Sequence, residues 1–161
     1  MGAVAERLAV LGIRLPPVVK PPPALNVPFA WVRVSGRRVL VSGHGALTDD
    51  GRPAGPFGKV PSVVSPAAAA ESARGAALAM IAALEVELGD LDRISAWLMV
   101  NGMVNADHGF AGTTTVINGF SDVVLDVFGP EIGRHARTAV GMTTLPLGYC
   151  VTVAAEVEID C

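Results

Sequence analysis

Apolar and polar positions change period several times along the chain, and each change marks an element. Over residues 4–11, Leu8 and Leu11 stand at helical spacing, which predicts a short helix. The clusters Pro16-Pro17 and Pro21-Pro22-Pro23 keep the following segment extended, because proline lacks the N–H a helix needs. Two β-rich runs, 29–34 and 38–42, flank Ser35-Gly36 and predict a hairpin. Thr48-Asp49-Asp50-Gly51 is a further turn, and a Gly- and Pro-rich loop leads on to Val64.

Ser65-Pro66 is a helix start, with serine as N-cap and proline at the first helical position. The spacing predicts a helix from there to Leu88, ended by Gly89. Its apolar stripe is Ala77, Met80, Ile81, Leu84 and Leu88, and further alanines allow close packing. Residues 93–104 alternate and predict a strand with Ile94, Ala96, Leu98 and Val100 on one face. A second long helix is expected over 110–128, with Val116, Phe120, Val123 and Val127 on one face and Gly129-Pro130 as its end. Strands over 136–143 and 150–159, joined by Leu145-Pro146-Leu147-Gly148, complete the order β-β-α-β-α-β-β. That order predicts an α+β fold, one mixed sheet with two helices on one face. The other face of such a sheet needs cover, which argues for self-association.

Composition sharpens this picture. A chain of 161 residues is expected to form one domain over 1–161, with 1–27 as an N-terminal helix and proline-rich extension. Such a chain buries roughly 70% of the surface it exposes when unfolded. It is 51% hydrophobic and only 17% charged, with mean hydropathy +0.49, yet no uninterrupted apolar run approaches the length of about 18 residues that a membrane span requires. An apolar surplus without a spanning run again favours contacts between copies. Net charge is −3 and no Lys/Arg run occurs, so the electrostatic footprint of a nucleic-acid binder is missing. Cys150 and Cys161 make no disulfide framework, and Glu6 and Arg7 break the only apolar stretch near the start, so a reducing, cytoplasmic setting is expected.

Several chemistries lack their motifs. Gly43-His44-Gly45 misses the third glycine of a dinucleotide loop, and no phosphate-binding loop or Gly-x-Ser-x-Gly elbow occurs. His44, His108 and His135 show no metal-ligand spacing with each other or the cysteines, so neither metal nor cofactor is expected.

Two segments carry a family resemblance. One is Val41-Ser42-Gly43-His44, preceded by Pro28-Phe29; the other is Arg137-Thr138-Ala139-Val140 with Leu145-Pro146 and a closing Val157-Glu158-Ile159, and Val116-Ile117-Asn118 lies between them. Over residues 28–160 the chain resembles the YjgF/RidA family (endoribonuclease L-PSP), of chorismate mutase-like fold. The resemblance implies a homotrimer with clefts between subunits and enamine/imine deaminase activity, the hydrolysis of 2-imino acids to 2-keto acids and ammonia. It implies Arg137 as the carboxylate anchor, a role suited to a guanidinium's paired N–H donors. It places Thr152 at the second catalytic position, where deaminating members carry a glutamate that orients the attacking water. It further implies substrate contacts at Phe29 (usually tyrosine), Ser42, Gly43, His44 (usually glutamine), Asn118 and Ala139.

A threonine hydroxyl cannot serve as a carboxylate base, and losing a general base typically costs about 10²–10⁴ in rate. Glu156, on the same face of that strand, lies roughly 13 Å further along. Two functions therefore stand side by side: a RidA-like deaminase or related hydrolase of a small carboxylate, and a non-catalytic ligand-binding trimer. The ribonuclease activity of the family's older name is opposed by the acidic balance.

Individual side chains keep two readings. Ser42 either closes the strand end against the backbone or meets a ligand. Asn118 either satisfies a neighbouring loop or meets a ligand. His44 is either a proton carrier or a hydrogen-bonded structural histidine. Arg134 and His135 are candidates for adding positive field around Arg137. Trp31 and Trp97 read as core or interface aromatics, and Cys150 as a buried filler.

Overall fold

A computed structural model describes residues 2–160; Cys161 lies outside the described residues. Helix α1 (Ala3–Val10) buries Val4 and Leu8. It is tied down by the Val4 N–H donating to Asp92 at 2.9 Å. An extended proline-rich segment then leads to a hairpin of β1 (Val32–Ser35) and β2 (Arg38–His44). Ser35 pairs with Arg38 across a two-residue loop whose first member, Gly36, has φ +62°, the place where a type II′ turn needs glycine. Residues 29–31, expected in the first strand, precede it; the Trp31 carbonyl accepts from the Ser42 N–H at 2.9 Å.

Helix α2 (Pro66–Leu88) begins and ends where its chemistry dictates. Ser65 accepts from the Ala68 N–H, and Gly89 takes the left-handed conformation at φ +73°. By length and composition α2 is apolar enough to cross a membrane, but 61% of its apolar window is buried inside the protein. The expected stripe of Ala77, Met80, Ile81, Leu84 and Leu88 is buried, together with Ala69, Ala73, Ala76 and Ala79.

Strand β3 (Ile94–Asn105) departs from simple alternation. Register shifts between Ile94 and Ala96 and between Trp97 and Met99 each insert an extra residue. The buried face therefore runs Ile94, Trp97, Val100, and Leu98, expected beside Val100, is left 38% exposed. Helix α3 (Thr113–Ile132) starts three residues later than its pattern suggests, and Gly129 at φ +80° and ψ 170° breaks the helical path ahead of Pro130. Strands β4 (Ala136–Met142) and β5 (Val151–Ile159) complete a mixed sheet of order β1-β2-β5-β3-β4, in which only β3 and β4 run parallel.

Helices α2 and α3 cover one face, α2 over β1, β2 and β5 and α3 over β3 and β4. Trp97, Phe120 and Phe128 form the aromatic centre of this layer, the Trp97 ring centroid lying 6.1 Å from that of Phe120 and 5.4 Å from that of Phe128. The opposite face carries Leu40, Met99, Val140 and Met142, each at least a third exposed. Cross-strand partners share a face, so the pairings Met103–Thr152 and Met103–Val140 put Thr152 on this uncovered side. Arg137 pairs with the buried Val100 and belongs to the helix-covered side. Cys150 is fully buried, and burial pushes its thiol pKa up, as befits a core filler.

Candidate functional site

The expected site residues fall into two groups in one chain. The first surrounds Arg137 on the outer strand β4. Its Nη1 donates to Asn118 Oδ1 at 2.9 Å and to Ser121 Oγ at 3.0 Å, and its Nη2 donates to the Thr114 carbonyl at 3.3 Å. All three acceptors sit on α3, each about one turn from the next, so the helix presents them as a row. A guanidinium has five N–H donors, and these bonds spend three of them. Among the described residues Arg137 has no carboxylate partner. Because arginine only donates, the amide oxygen of Asn118 must face it, which turns the amide Nδ2 the other way. Asn118 is thus neither a loop filler nor a ligand contact alone; it holds Arg137. Ala139 lies two residues along the same strand face, where its carbonyl accepts from the Thr113 hydroxyl at 3.0 Å.

Ser121, Thr114 and His135 extend this group beyond the sequence-based expectation. His135 Nδ1 lies 2.7 Å from the Gly133 carbonyl, so that nitrogen carries the proton and Nε2 is left to accept from Ser121 Oγ at 2.9 Å. Burial, with the nearby Arg137 charge, lowers the His135 pKa. The expectation that His135 adds positive field is therefore corrected: it serves as a neutral acceptor. Only its position next to the Arg137 strand hinted at a role.

The second group lines a cavity of about 550 Å³ at the other end of the sheet. Phe29, Gly43, His44 and Thr152 meet there, joined by Trp31, which the pattern assigned to core or interface. Ser42 stands beside it with its hydroxyl donating to the Ala30 carbonyl at 2.7 Å, the backbone-closing reading. His44 is 3% exposed; its Nδ1 donates to the Ser42 carbonyl at 2.6 Å, and its Nε2 is buried without a partner among the described residues. Burial lowers its pKa, so the ring is neutral near pH 7. A buried acceptor left unmet costs roughly 1–3 kcal/mol. Tyr149 donates its hydroxyl to the Ala46 carbonyl at 2.9 Å, and burial pushes its pKa up to about 12.

One chain does not bring the two groups together. Strands β2 and β4 are separated by β5 and β3, and three strand spacings of about 4.8 Å put them roughly 14 Å apart. Thr152 and Arg137 also point from opposite faces of the sheet.

The fold is that of an α+β protein of chorismate mutase-like architecture, with the candidate residues divided between two groups. No family model matches the chain. It is 40% identical to Protein TCP17 of Trypanosoma cruzi over 99% of this chain and 96% of that protein. The crystal structure of Atu1372 from Agrobacterium tumefaciens, a protein of unknown function, superposes with TM-score 0.85 at 34% identity, over 99% of this chain and 93% of that one. A candidate endoribonuclease from Shewanella oneidensis superposes with TM-score 0.88 at 25% identity, over 98% of this chain and 100% of that one. RidA from an Antarctic Psychrobacter shares the fold at 19% identity and TM-score 0.56, over 85% of this chain and 93% of that one. The chain belongs to the YjgF/RidA family.

Proposed function

We propose that the protein acts as a homotrimer in which Arg137 of one subunit completes the cavity of its neighbour. The resulting cleft binds a small carboxylate and hydrolyses its 2-imino group. The observation that carries this reading is Arg137 itself, fixed by Asn118, Ser121 and Thr114 and lacking a carboxylate partner among the described residues. Its two remaining N–H donors suit a ligand carboxylate, and each charged hydrogen bond contributes roughly 1.5–3 kcal/mol. Association is supported by the exposed apolar residues Leu40, Met99, Val140 and Met142 on the uncovered face. It is supported too by the separation of Arg137 from Thr152 within one chain.

In the reaction, water adds to the imine carbon, the C–N bond breaks with nitrogen leaving as ammonia, and the carbon retains the oxygen as a ketone. Oxidation state is unchanged, so no redox partner is required. The test is ammonia and keto-acid release from 2-iminopropanoate and 2-iminobutanoate generated in situ. Acceleration in the wild type that Arg137→Ala abolishes is the expected result.

A second reading, a ligand-binding trimer without turnover, is favoured by the cavity wall. Among the described residues no Asp or Glu lines it, and Thr152 offers only a hydroxyl. Keto-acid binding lost on Arg137→Ala, with no ammonia released by either protein, would select it. The ribonuclease activity named for the Shewanella relative fits this chain less well, since net charge is −3 and among the described residues no Lys or Arg lines the cavity. RNA is expected to stay intact with the purified protein.

A further inference from the structure

We infer that the proline-rich segment 19–27 is the specificity wall of the cavity floored by Thr152. It selects carboxylate substrates whose remaining body is an extended apolar chain, longer than that of a three- or four-carbon acid. That the ligand is a carboxylate rests on the reading of Arg137 as anchor; the apolar selection stands on the cavity alone.

The segment is built to stand off the sheet. Pro16-Pro17 and Pro21-Pro22-Pro23 forbid helix and leave the chain few conformations, so it stays extended. It is pinned at Lys20, whose N–H donates to the Gly51 carbonyl at 2.8 Å, and it turns where the Leu25 N–H donates to the Pro22 carbonyl at 2.9 Å. Between it and the sheet lies the space of about 550 Å³, lined by Val19, Leu25 and Val27 from the segment and by Met103 and Thr152 from the strands. Thr152 belongs to the face that the helices leave uncovered, yet it is only 7% exposed there. The volume falls within the roughly 300–1,000 Å³ of sites that take drug-sized ligands, well beyond what a three- or four-carbon acid occupies.

Charge and polarity then limit what fills it. Among the described residues no Asp, Glu, Lys or Arg lines the cavity, so a charged body would shed its hydration there without gaining a partner. The polar lining side chains offer little more. Tyr149 has committed its hydroxyl to Ala46 and His44 its Nδ1–H to Ser42, while the His44 Nε2 is closed off from any ligand. Asn26 is exposed on the segment, where its amide keeps its water. Thr152 alone presents a hydroxyl at the floor, which serves the polar end of a substrate and not its length. What remains is carbon, including the rings of Phe29 and Trp31, whose centroids are 5.0 Å apart. Each methylene that displaces water from such a wall raises affinity by about 2- to 4-fold. An apolar chain gains at every added carbon; a short acid leaves the wall wet.

Calorimetric titration of the intact protein with 2-oxobutanoate, 2-oxohexanoate and 2-oxooctanoate tests this. Affinity should rise by more than about tenfold across the series and saturate at one ligand per subunit. Replacing Leu25 and Val27 together by asparagine changes the wall at two residues outside the packed core. It should weaken 2-oxooctanoate at least about 5-fold more than 2-oxobutanoate, while thermal melting still shows a folded protein. Flat or falling affinity across the series in the wild type overturns the inference, as does failure of all three to bind. A rise without saturation overturns it too, since that is adsorption to exposed apolar surface; none of these results requires a variant to fold. An undiminished rise in the folded double variant removes the segment as the selecting wall. The uncharged ketones 2-butanone and 2-octanone separate this inference from the anchor reading. A preference for 2-octanone, with keto acids binding no tighter than ketones, removes the anchor and leaves the apolar wall standing. Keto-acid binding that Arg137→Ala abolishes, with no preference for chain length, does the reverse.

Discussion

The hydroxyl of Ser121 lies 2.9 Å from Nε2 of His135, and the direction of that bond governs what faces Arg137. The Gly133 carbonyl fixes the His135 proton on Nδ1, so Ser121 must donate its proton to Nε2. Its lone pairs are then turned to the guanidinium, which they meet at 3.0 Å. Ser121→Ala removes this seat while leaving Arg137 its bonds to Asn118 and Thr114. Binding of a keto acid such as 2-oxobutanoate should weaken about 5- to 10-fold, the worth of one hydrogen bond to a charged group in a partly exposed site. Titration calorimetry on wild type and variant checks this, and unchanged affinity would mean Ser121 does not position the anchor.

The same two histidines that hold their neighbours while neutral make stability depend on pH. Burial lowers the pKa of His44 and of His135 below the usual 6.5. The unfolded chain therefore takes up more protons than the folded one once pH falls below about 6.5, and stability declines in that direction. The lowered carboxyl pKa values of Asp50, Asp107 and Glu156 act with the same sign, but only near pH 4 and below, where those groups protonate. The melting temperature should be level between about pH 7 and 8 and fall between about pH 6.5 and 5. His135→Gln should flatten that fall; an equally steep fall in the variant would remove His135 as a contributor.

Much of the scaffold behind these sites was legible in the chain, for local reasons. Helix α2 is punctuated by its own ends, Ser65-Pro66 and Gly89, and the hairpin by Gly36, so neighbouring residues alone determine them. Strand β3 was readable as a strand but not in its facing, because two bulges set by its partner strand β5 shift Trp97 inward and Leu98 outward. Arg137, Asn118, Ser42 and Gly43 stood out by motif. Their division into two groups did not, since it follows from strand order, which no local pattern encodes. The cavity wall from Val19 to Val27 was equally hidden, because an extended proline-rich segment has no periodicity to announce a buried face.

Close approach of α2 and α3 gives a stability prediction that involves no ligand. A Cβ built on Gly119 would lie 2.1 Å from the Ala70 carbonyl oxygen, a backbone atom that cannot swing aside. Gly119→Ala should therefore push the helices apart and cost about 1–3 kcal/mol, despite the gain in helix propensity. By contrast a Cβ on Gly43 meets nothing within 4 Å, and its φ is not in the left-handed region, so Gly43→Ala should leave stability within about 0.5 kcal/mol. Urea unfolding of both variants decides the matter. Equal midpoints would show that the helix pair adjusts more freely than backbone contact allows.

Asn118 separates a binding role for Arg137 from a structural one. Its Oδ1 accepts from Arg137 Nη1 at 2.9 Å, at a partly exposed position on α3. Asn118→Asp replaces that amide with a carboxylate of nearly the same shape, which keeps the contact and adds a negative charge beside the guanidinium. As a structural change this is mild, since an exposed ion pair is worth roughly 0–1 kcal/mol, so urea stability should hold or rise slightly. As a change to an anion site it is severe. The new carboxylate neutralises the field a ligand carboxylate would meet and repels it at close range, so 2-oxobutanoate affinity should fall more than about tenfold. Asn118→Ala, which removes the contact without adding charge, should weaken binding by a smaller factor, about 3- to 5-fold. The ordering wild type, then alanine, then aspartate in calorimetric affinity, with stability nearly level for aspartate, is what an anion anchor requires. If aspartate bound the keto acid as well as the wild type, Arg137 would be serving the fold of β4 against α3 and not a ligand.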